Sequence, residues 1–190
     1  WGSIKIPLAS PREPIRDTVS AELADRYLTN GALAWSRGKG CVSCHTNGSY
    51  LAVRSALARK LGPPSTEIRQ FFVAQLDKLA KREPDRIDPA TIAYIALGLA
   101  QWDKYLSQTP SPEIDRAMLM MFTTQSPDGS WRNSDCWPPF ESSDYQTTTI
   151  AAMATASAPG WLANLPDGPV KHQVEKMKEY LRNTEPPHDY

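Results

Sequence analysis

Hydrophobic residues recur at helical spacing along most of this chain, and polar residues fill the positions between them. In segment 65–83, charged side chains lie opposite an apolar stripe made of Ile68, Phe71, Phe72, Leu76 and Leu79. Residues three and four apart share one helix face, so this segment is predicted to be an amphipathic helix. The same period predicts further helices at 18–36, 49–61, 89–106, 111–125, 144–157 and 169–183.

Capping residues mark several ends of these helices. Asp88-Pro89 and Ser111-Pro112 each place an N-cap side chain before a first-turn proline, and Thr18 or Ser20 begins the first helix. Gly62, followed by two prolines, is expected to end the second helix. The chain has 17 prolines, and an all-α fold tolerates them between helices or in first turns.

Two kinds of helix alternate along the chain. Those that begin near positions 20, 66, 112 and 169 are amphipathic, while those near 50, 90 and 144 are smaller or more apolar. The amphipathic helices recur about every 45 residues, a period typical of stacked helical hairpins. We therefore expect a curved double layer over residues 18–190, with amphipathic helices outside and apolar ones inside. Residues 1–17 lack a helical period and are predicted to form an extended arm.

A motif at the end of the third amphipathic helix carries a family resemblance. Its sequence is Arg116-Ala117, then Phe122, then Gln-Ser-Pro-Asp-Gly-Ser-Trp at 125–131. It resembles the QW motif of squalene–hopene and oxidosqualene cyclases, in which it turns the chain from an outer helix into an inner helix of an α/α toroid. The resemblance implies an all-α fold, with helical-hairpin repeats forming a partial α/α toroid. A closed toroid of that family has about twice as many hairpins, so a further domain or chain is expected to complete it.

The QW-like segment also has a physical interpretation. Asp128-Gly129 predicts a tight turn with one left-handed residue. Gln125 is placed to hydrogen-bond exposed backbone at the next helix, and Trp131 to stack over the joint. Cyclase chemistry is not expected, because the Asp-x-Asp-Asp protonation motif of those enzymes is absent, and Asp135 and Asp144 stand alone. Asp135-Cys136 also lacks the spacing of the zinc ligands in prenyltransferase β subunits, which share the toroid.

The segment Cys41-Val42-Ser43-Cys44-His45 is the strongest chemical signal. C-x-x-C-H is the attachment signature of haem c. Two thiols one helical turn apart reach the two vinyl groups, and the adjacent histidine becomes the proximal iron ligand. Together with the toroid motif, this segment is similar to exported bacterial proteins that combine a C-x-x-C-H segment with a squalene-cyclase-like toroid. Haem attachment outside the bacterial cytoplasm then implies a periplasmic or extracellular protein.

Two other interpretations of this motif stay open. Cys136 lies in a loop expected at the same end of the toroid, so Cys41, Cys44 and Cys136 could bind zinc. A histidine directly beside a Cys-x-x-Cys knuckle is strained as a zinc ligand, which favours haem. A redox-active disulfide is the third possibility, but no βαβ pattern surrounds the motif.

The second axial position of a haem iron has two candidates in the sequence. Met153 lies on the inner helix that follows the Cys136 loop, and a methionine ligand raises the reduction potential. Its alternative role is to fill a gap in the core. Cys136 is the other candidate ligand. The tryptophans Trp35, Trp131 and Trp137 either form walls of the haem site or, as we favour, stack at the turns of the toroid.

Composition narrows the class of function. Lys and Arg together number 21, as do Asp and Glu, which argues against nucleic-acid binding, since that needs a cationic surplus. The longest apolar stretch, 92–100, is about half the length of a membrane span. The chain begins at Trp1, so we expect that a leader was removed or that the sequence is a fragment. We predict an electron carrier with a redox partner rather than an enzyme; a zinc-stabilised partner-binding module is the alternative.

Overall fold

The computed structural model describes residues 4, 10–12, 15, 17–133 and 143–186. All regular structure in these residues is helical, as predicted. The helices are α1 (Ala21–Lys39), α2 (Asn47–Arg54), α3 (Ala58–Leu61), α4 (Thr66–Leu79), α5 (Pro89–Trp102), α6 (Pro112–Thr123), α7 (Asp144–Ser157) and α8 (Pro169–Asn183). The arm predicted over 1–17 falls mostly outside the described residues, and its described positions are not helical.

The predicted helix limits agree closely with the observed ones. Ser20 accepts a hydrogen bond from the Leu23 amide, and Asp88 caps α5 through the Thr91 amide. The helix predicted over 49–61 is interrupted, because a 3₁₀ turn at Ser55–Leu57 separates α2 from α3. The helix predicted over 89–106 is α-helical only to Trp102, and its last residues form a wider π-type turn.

Helix α5 lies at the centre of the molecule. Every residue from 92 to 100 is buried, as its apolar sequence predicts. It packs against α2 on one side and α7 on the other, and against α4 and α6. Burial of a helix on most sides explains why its sequence lacks an amphipathic pattern.

Ion pairs join the amphipathic helices to one another. The Nε and Nη2 atoms of Arg37 in α1 donate to the two carboxylate oxygens of Glu67 in α4, at 2.6 Å each. Arg69 of α4 pairs with Glu113 of α6, and Arg116 of α6 pairs with Asp77 of α4. Hydrogen bonds from Arg37 hold the pKa of the Glu67 carboxyl below its ordinary value. These surface pairs link α1 to α4 and α4 to α6, and each contributes little to the free energy of unfolding.

The turn after α6, which we call the Gln125 joint (residues 124–131), is fully packed. Trp131 is completely buried; its ring N–H donates to the Met121 carbonyl, and its ring lies edge-on to Phe122. Gln125 donates to the Gly129 and Gln173 carbonyls, both at 3.0 Å. Gln173 belongs to α8, so this glutamine does bond helix backbone, but it is that of α8 and not, as predicted, that of the next helix, α7.

Gly129 shows how closely α8 approaches the joint. Its φ of 94° is the left-handed conformation predicted for this turn. A Cβ at this position would lie 2.4 Å from the carbonyl oxygen of Lys176 in α8. The Asp128 carboxylate accepts from the Ser130 hydroxyl and amide, and these hydrogen bonds lower its pKa. The turn of the joint is therefore held by its own hydrogen bonds and lies directly against α8.

Candidate functional site

The Cys-x-x-Cys-His motif lies in the loop between α1 and α2. Helix α1 ends at Gly40, whose φ of 67° is the left-handed conformation of a helix C-cap. The loop then runs to Thr46, and α2 begins at Asn47. We call residues 40–46 the histidine loop. All three motif side chains therefore precede α2 and are held by contacts of the loop.

Asn47 is the internal clamp of the histidine loop. Its side chain is completely buried, and its Oδ1 accepts the Ser43 amide at 2.8 Å. Its Nδ2 donates to the Cys41 carbonyl at 3.1 Å and to the Ser36 hydroxyl of α1 at 3.0 Å. The Ser36 hydroxyl itself donates to the Ala32 carbonyl. One asparagine thus ties the first and the middle residue of the motif to α1.

Gly48 allows the loop to close over the start of α2. Its amide donates to the Ser43 carbonyl at 2.9 Å. A Cβ here would lie 2.6 Å from that carbonyl oxygen and 3.2 Å from the Tyr94 ring of α5. A larger residue would push the loop away from α2, so the position requires glycine for a close approach of backbone.

His45 is exposed at the edge of the loop and is held through one ring nitrogen. Its Nδ1 lies 3.1 Å from the Ser43 hydroxyl and 3.4 Å from the Cys44 sulfur. The indole of Trp35 in α1 lies edge-on to the imidazole, with ring centroids 5.2 Å apart. Because Nδ1 is engaged within the loop, Nε2 is the nitrogen left for an external ligand.

An apolar groove of about 450 Å³ opens beside His45, between α1 and α2. Its walls include Tyr27, Leu28 and Val53, which are 54%, 58% and 63% exposed. Tyr27 and Leu28 lie on α1, and the described helices leave both side chains uncovered. Exposed large apolar side chains that cluster around a concavity are typical of a ligand site.

Two polar atoms of groove residues have no hydrogen-bond partner within the described part of the chain. They are the indole N–H of Trp35 and the hydroxyl of Thr46. Buried donors usually have partners, since an unpaired one costs about 1–3 kcal/mol. Both atoms flank His45, so the hydrogen bonding of the groove is incomplete on the side of the motif.

The two motif cysteines differ in access. Cys41 is exposed, whereas Cys44 is 4% exposed and sits beneath the imidazole. Among the described residues, no three side chains of the His, Cys, Asp or Glu type converge to hold one metal ion. Cys136, the third sulfur of the zinc hypothesis, lies outside the described residues. The described geometry therefore offers one imidazole beside an apolar groove, not a tetrahedral set of donors.

The remaining predicted site residues lie elsewhere. Met153 is on α7, 46% exposed, and is not among the residues that line the groove. Trp131 belongs to the Gln125 joint, as the stacking interpretation predicts. Trp137 and Cys136 lie outside the described residues, so their predicted roles stay predictions.

Sequence reasoning missed the residues that hold the motif in place. Asn47 and Ser43 carry no motif of their own, and their role depends on the approach of α1 to the loop. The sequence offered two signals: Asn47, two positions after His45, and Gly48, directly after Asn47. The exposure of Tyr27 and Leu28 had no signal, since periodicity identifies a face without saying what covers it.

No family model, curated protein or solved structure matches this chain. The resemblance to toroid proteins therefore rests on the sequence motifs alone. Over the described residues, no helix combines the length and the apolar character that crossing a bilayer demands.

Proposed function

We propose that this chain is an exported c-type cytochrome-like protein that carries one haem and exchanges electrons with a partner. Cys41 and Cys44 would form the thioether bonds, and His45 would be the proximal iron ligand. The observation that supports this most is the apolar groove lined by His45, the last residue of the only C-x-x-C-H sequence in the chain. Cys41 and Cys44 are not among the residues that line the groove.

The groove suits a planar apolar group in size and lining. Its volume of about 450 Å³ falls within the range of small-molecule and cofactor sites. Tyr27, Leu28 and Val53 would lose their contact with water against the ring, which favours binding through the hydrophobic effect. An occupant of this kind explains why α1 presents large apolar side chains to solvent.

Each motif residue would have a distinct task. Haem supplies one-electron exchange between ferric and ferrous iron when bound. The Nε2 of His45 is available because Nδ1 is held by Ser43. The clamp by Asn47 keeps the loop, and with it His45, against α1. Since Cys44 is buried, its bond to a vinyl group would have to form before the loop packs, during folding after export.

We further propose that the helices form part of an α/α toroid. Helices α2, α5 and α7 pack side by side, and α1, α4, α6 and α8 lie against them. This alternation is what a double layer of helical hairpins requires. A further domain or chain would extend the row at its edges, and a redox partner would approach the groove.

The first test is an absorption spectrum of the purified chain, produced through an export and haem-maturation pathway. We expect a Soret band, sharp α and β bands after dithionite reduction, and colour that survives acid–acetone extraction. The variants Cys41→Ser and Cys44→Ser should each lose one thioether bond, which moves the α band of the pyridine haemochrome. Ser55→Ala, which replaces a buried serine outside the groove, is the matched control.

A colourless protein from that pathway would overturn the haem proposal. Zinc analysis of the same sample would then test the alternative, a zinc-stabilised module that binds a partner. If haem is present but extractable, the cysteines do not carry it, and the covalent part of the proposal is wrong.

A further inference from the structure

We propose that Ser43 is a positioning residue for His45: its hydroxyl accepts the Nδ1 proton and thereby directs the Nε2 lone pair to the iron. The inference rests on the proposed function and extends it to a residue that the C-x-x-C-H pattern leaves unspecified. It assigns a role to one of the two variable positions between the cysteines.

The contact is close and specific. The Ser43 hydroxyl lies 3.1 Å from His45 Nδ1, within hydrogen-bond range. Ser43 is 7% exposed, so its hydroxyl is largely shielded from bulk water. The Cys44 sulfur is at 3.4 Å from Nδ1, but sulfur is a weak acceptor. The serine oxygen is therefore the principal partner.

Ser43 is itself held on both sides of its backbone. Its amide donates to Asn47 Oδ1 at 2.8 Å, and its carbonyl accepts from the Gly48 amide at 2.9 Å. Asn47 is anchored to Ser36 of α1. A continuous set of hydrogen bonds thus runs from a rigid helix to the imidazole, which is the usual arrangement around a metal-bound histidine.

The direction of the hydrogen bond follows from the chemistry of the ring. A neutral imidazole carries one proton, and a metal on Nε2 requires that proton on Nδ1. Ser43 must then accept. An acceptor at Nδ1 makes the imidazole a stronger electron donor, which stabilises ferric iron and lowers the reduction potential.

The test compares Ser43→Ala, Ser43→Thr and Ser55→Ala in the haem-loaded chain. Ser55 is the matched control, because it is a buried serine whose hydroxyl donates to the Leu51 carbonyl, and it is not among the residues that line the groove. We expect the midpoint potential to rise in Ser43→Ala, to return toward the parent value in Ser43→Thr, and to stay unchanged in Ser55→Ala. Equal potentials in the parent and Ser43→Ala would overturn the proposal.

A second measurement separates this inference from the proposed function. If the parent chain holds no haem, the proposed function fails, and ¹⁵N NMR of the haem-free full chain at mildly alkaline pH reads the His45 tautomer directly. We expect the Nδ1–H form in the parent chain and a shift toward the Nε2–H form in Ser43→Ala. The same tautomer in both proteins would show that Ser43 does not position the ring.

Discussion

The histidine loop and the Gln125 joint both carry the chain from an amphipathic helix into a more apolar one, yet they are packed in opposite ways. In the joint, Trp131 is fully buried and both of its N–H groups are bonded. Beside the loop, Trp35 of α1 is half-buried and its ring N–H has no partner in the described chain. Helix α8 is seated over the joint, whereas the groove beside the loop is left open by the described helices.

The contrast separates structural from functional use of the same kind of connection. In the joint, Trp131 and Gln125 have hydrogen-bond partners, and α8 packs against Gly129. The histidine loop instead has an exposed imidazole beside an uncovered apolar wall, although Asn47 holds its backbone in place. The free energy of unfolding of the haem-free full chain tests this contrast, except where another measurement is named.

The largest expected difference is between the two tryptophans. Trp131→Ala should lower the free energy of unfolding by about 3–5 kcal/mol, because it empties a fully buried site. Trp35→Ala should cost less, about 1–2 kcal/mol, since that side chain is only partly buried. Urea denaturation followed by circular dichroism measures both. Similar losses in the two variants would mean that the loop is packed as firmly as the joint.

The two close-packed glycines come next. Gly129→Ala and Gly48→Ala should each lower the free energy of unfolding by about 2 kcal/mol, because each Cβ would meet a backbone carbonyl oxygen within 2.6 Å. Only Gly48→Ala should also reduce covalent haem loading. Gly31→Ala in α1 is a control for stability alone, because Gly31 lines the groove. With no atom within 4 Å of its Cβ, it should stabilise the chain by about 0.5–1 kcal/mol. Loss of loading in Gly129→Ala would remove the distinction.

The two amides provide a smaller comparison. Asn47→Ala should cost about 2 kcal/mol, because it removes the partner of the amide of buried Ser43 and of the Cys41 carbonyl. Gln125→Ala should cost about 1 kcal/mol, since that side chain is partly exposed. Haem yield should fall only for Asn47→Ala. An unchanged yield would show that the clamp serves stability alone.

The smallest effect concerns acid. Hydrogen bonds from Ser130 lower the pKa of Asp128 in the folded protein, so the ionised carboxylate stabilises the fold above the unfolded pKa of about 4. That stabilisation should be lost as the pH falls through the lower folded value. Asp128→Asn should therefore differ from the parent by about 1 kcal/mol at pH 7 and by less at pH 3. A difference that is constant with pH would contradict the assignment.

Much of the fold could be predicted from the sequence because local signals agree with it. The period of apolar residues and the caps at Ser20 and Asp88 define helices, and these signals act within a few residues. The Asp128-Gly129 turn was predictable for the same reason. The interruption after α2 was not, since the side chain of Arg54 turns inward there to bond Asp25 of α1 and the Leu61 and Gly62 carbonyls.

The candidate site, too, was predictable only in part. Its proposed chemistry lies in five consecutive residues, so the motif was visible in the sequence. Its geometry depends on contacts between residues distant in the chain, such as Asn47 with Ser36 and His45 with Trp35. Nothing in the period of α1 indicates that Tyr27 and Leu28 face a groove rather than a neighbouring helix.

The uncovered apolar wall of α1 has a consequence for how the protein is produced. A chain whose groove lacks its occupant presents Leu28 and Val53 to every other molecule in a crowded compartment, and such surfaces self-associate and attract chaperones and proteases. Cofactor supply would then set the amount of protein that survives. Expression under haem limitation should yield less protein, not merely paler protein.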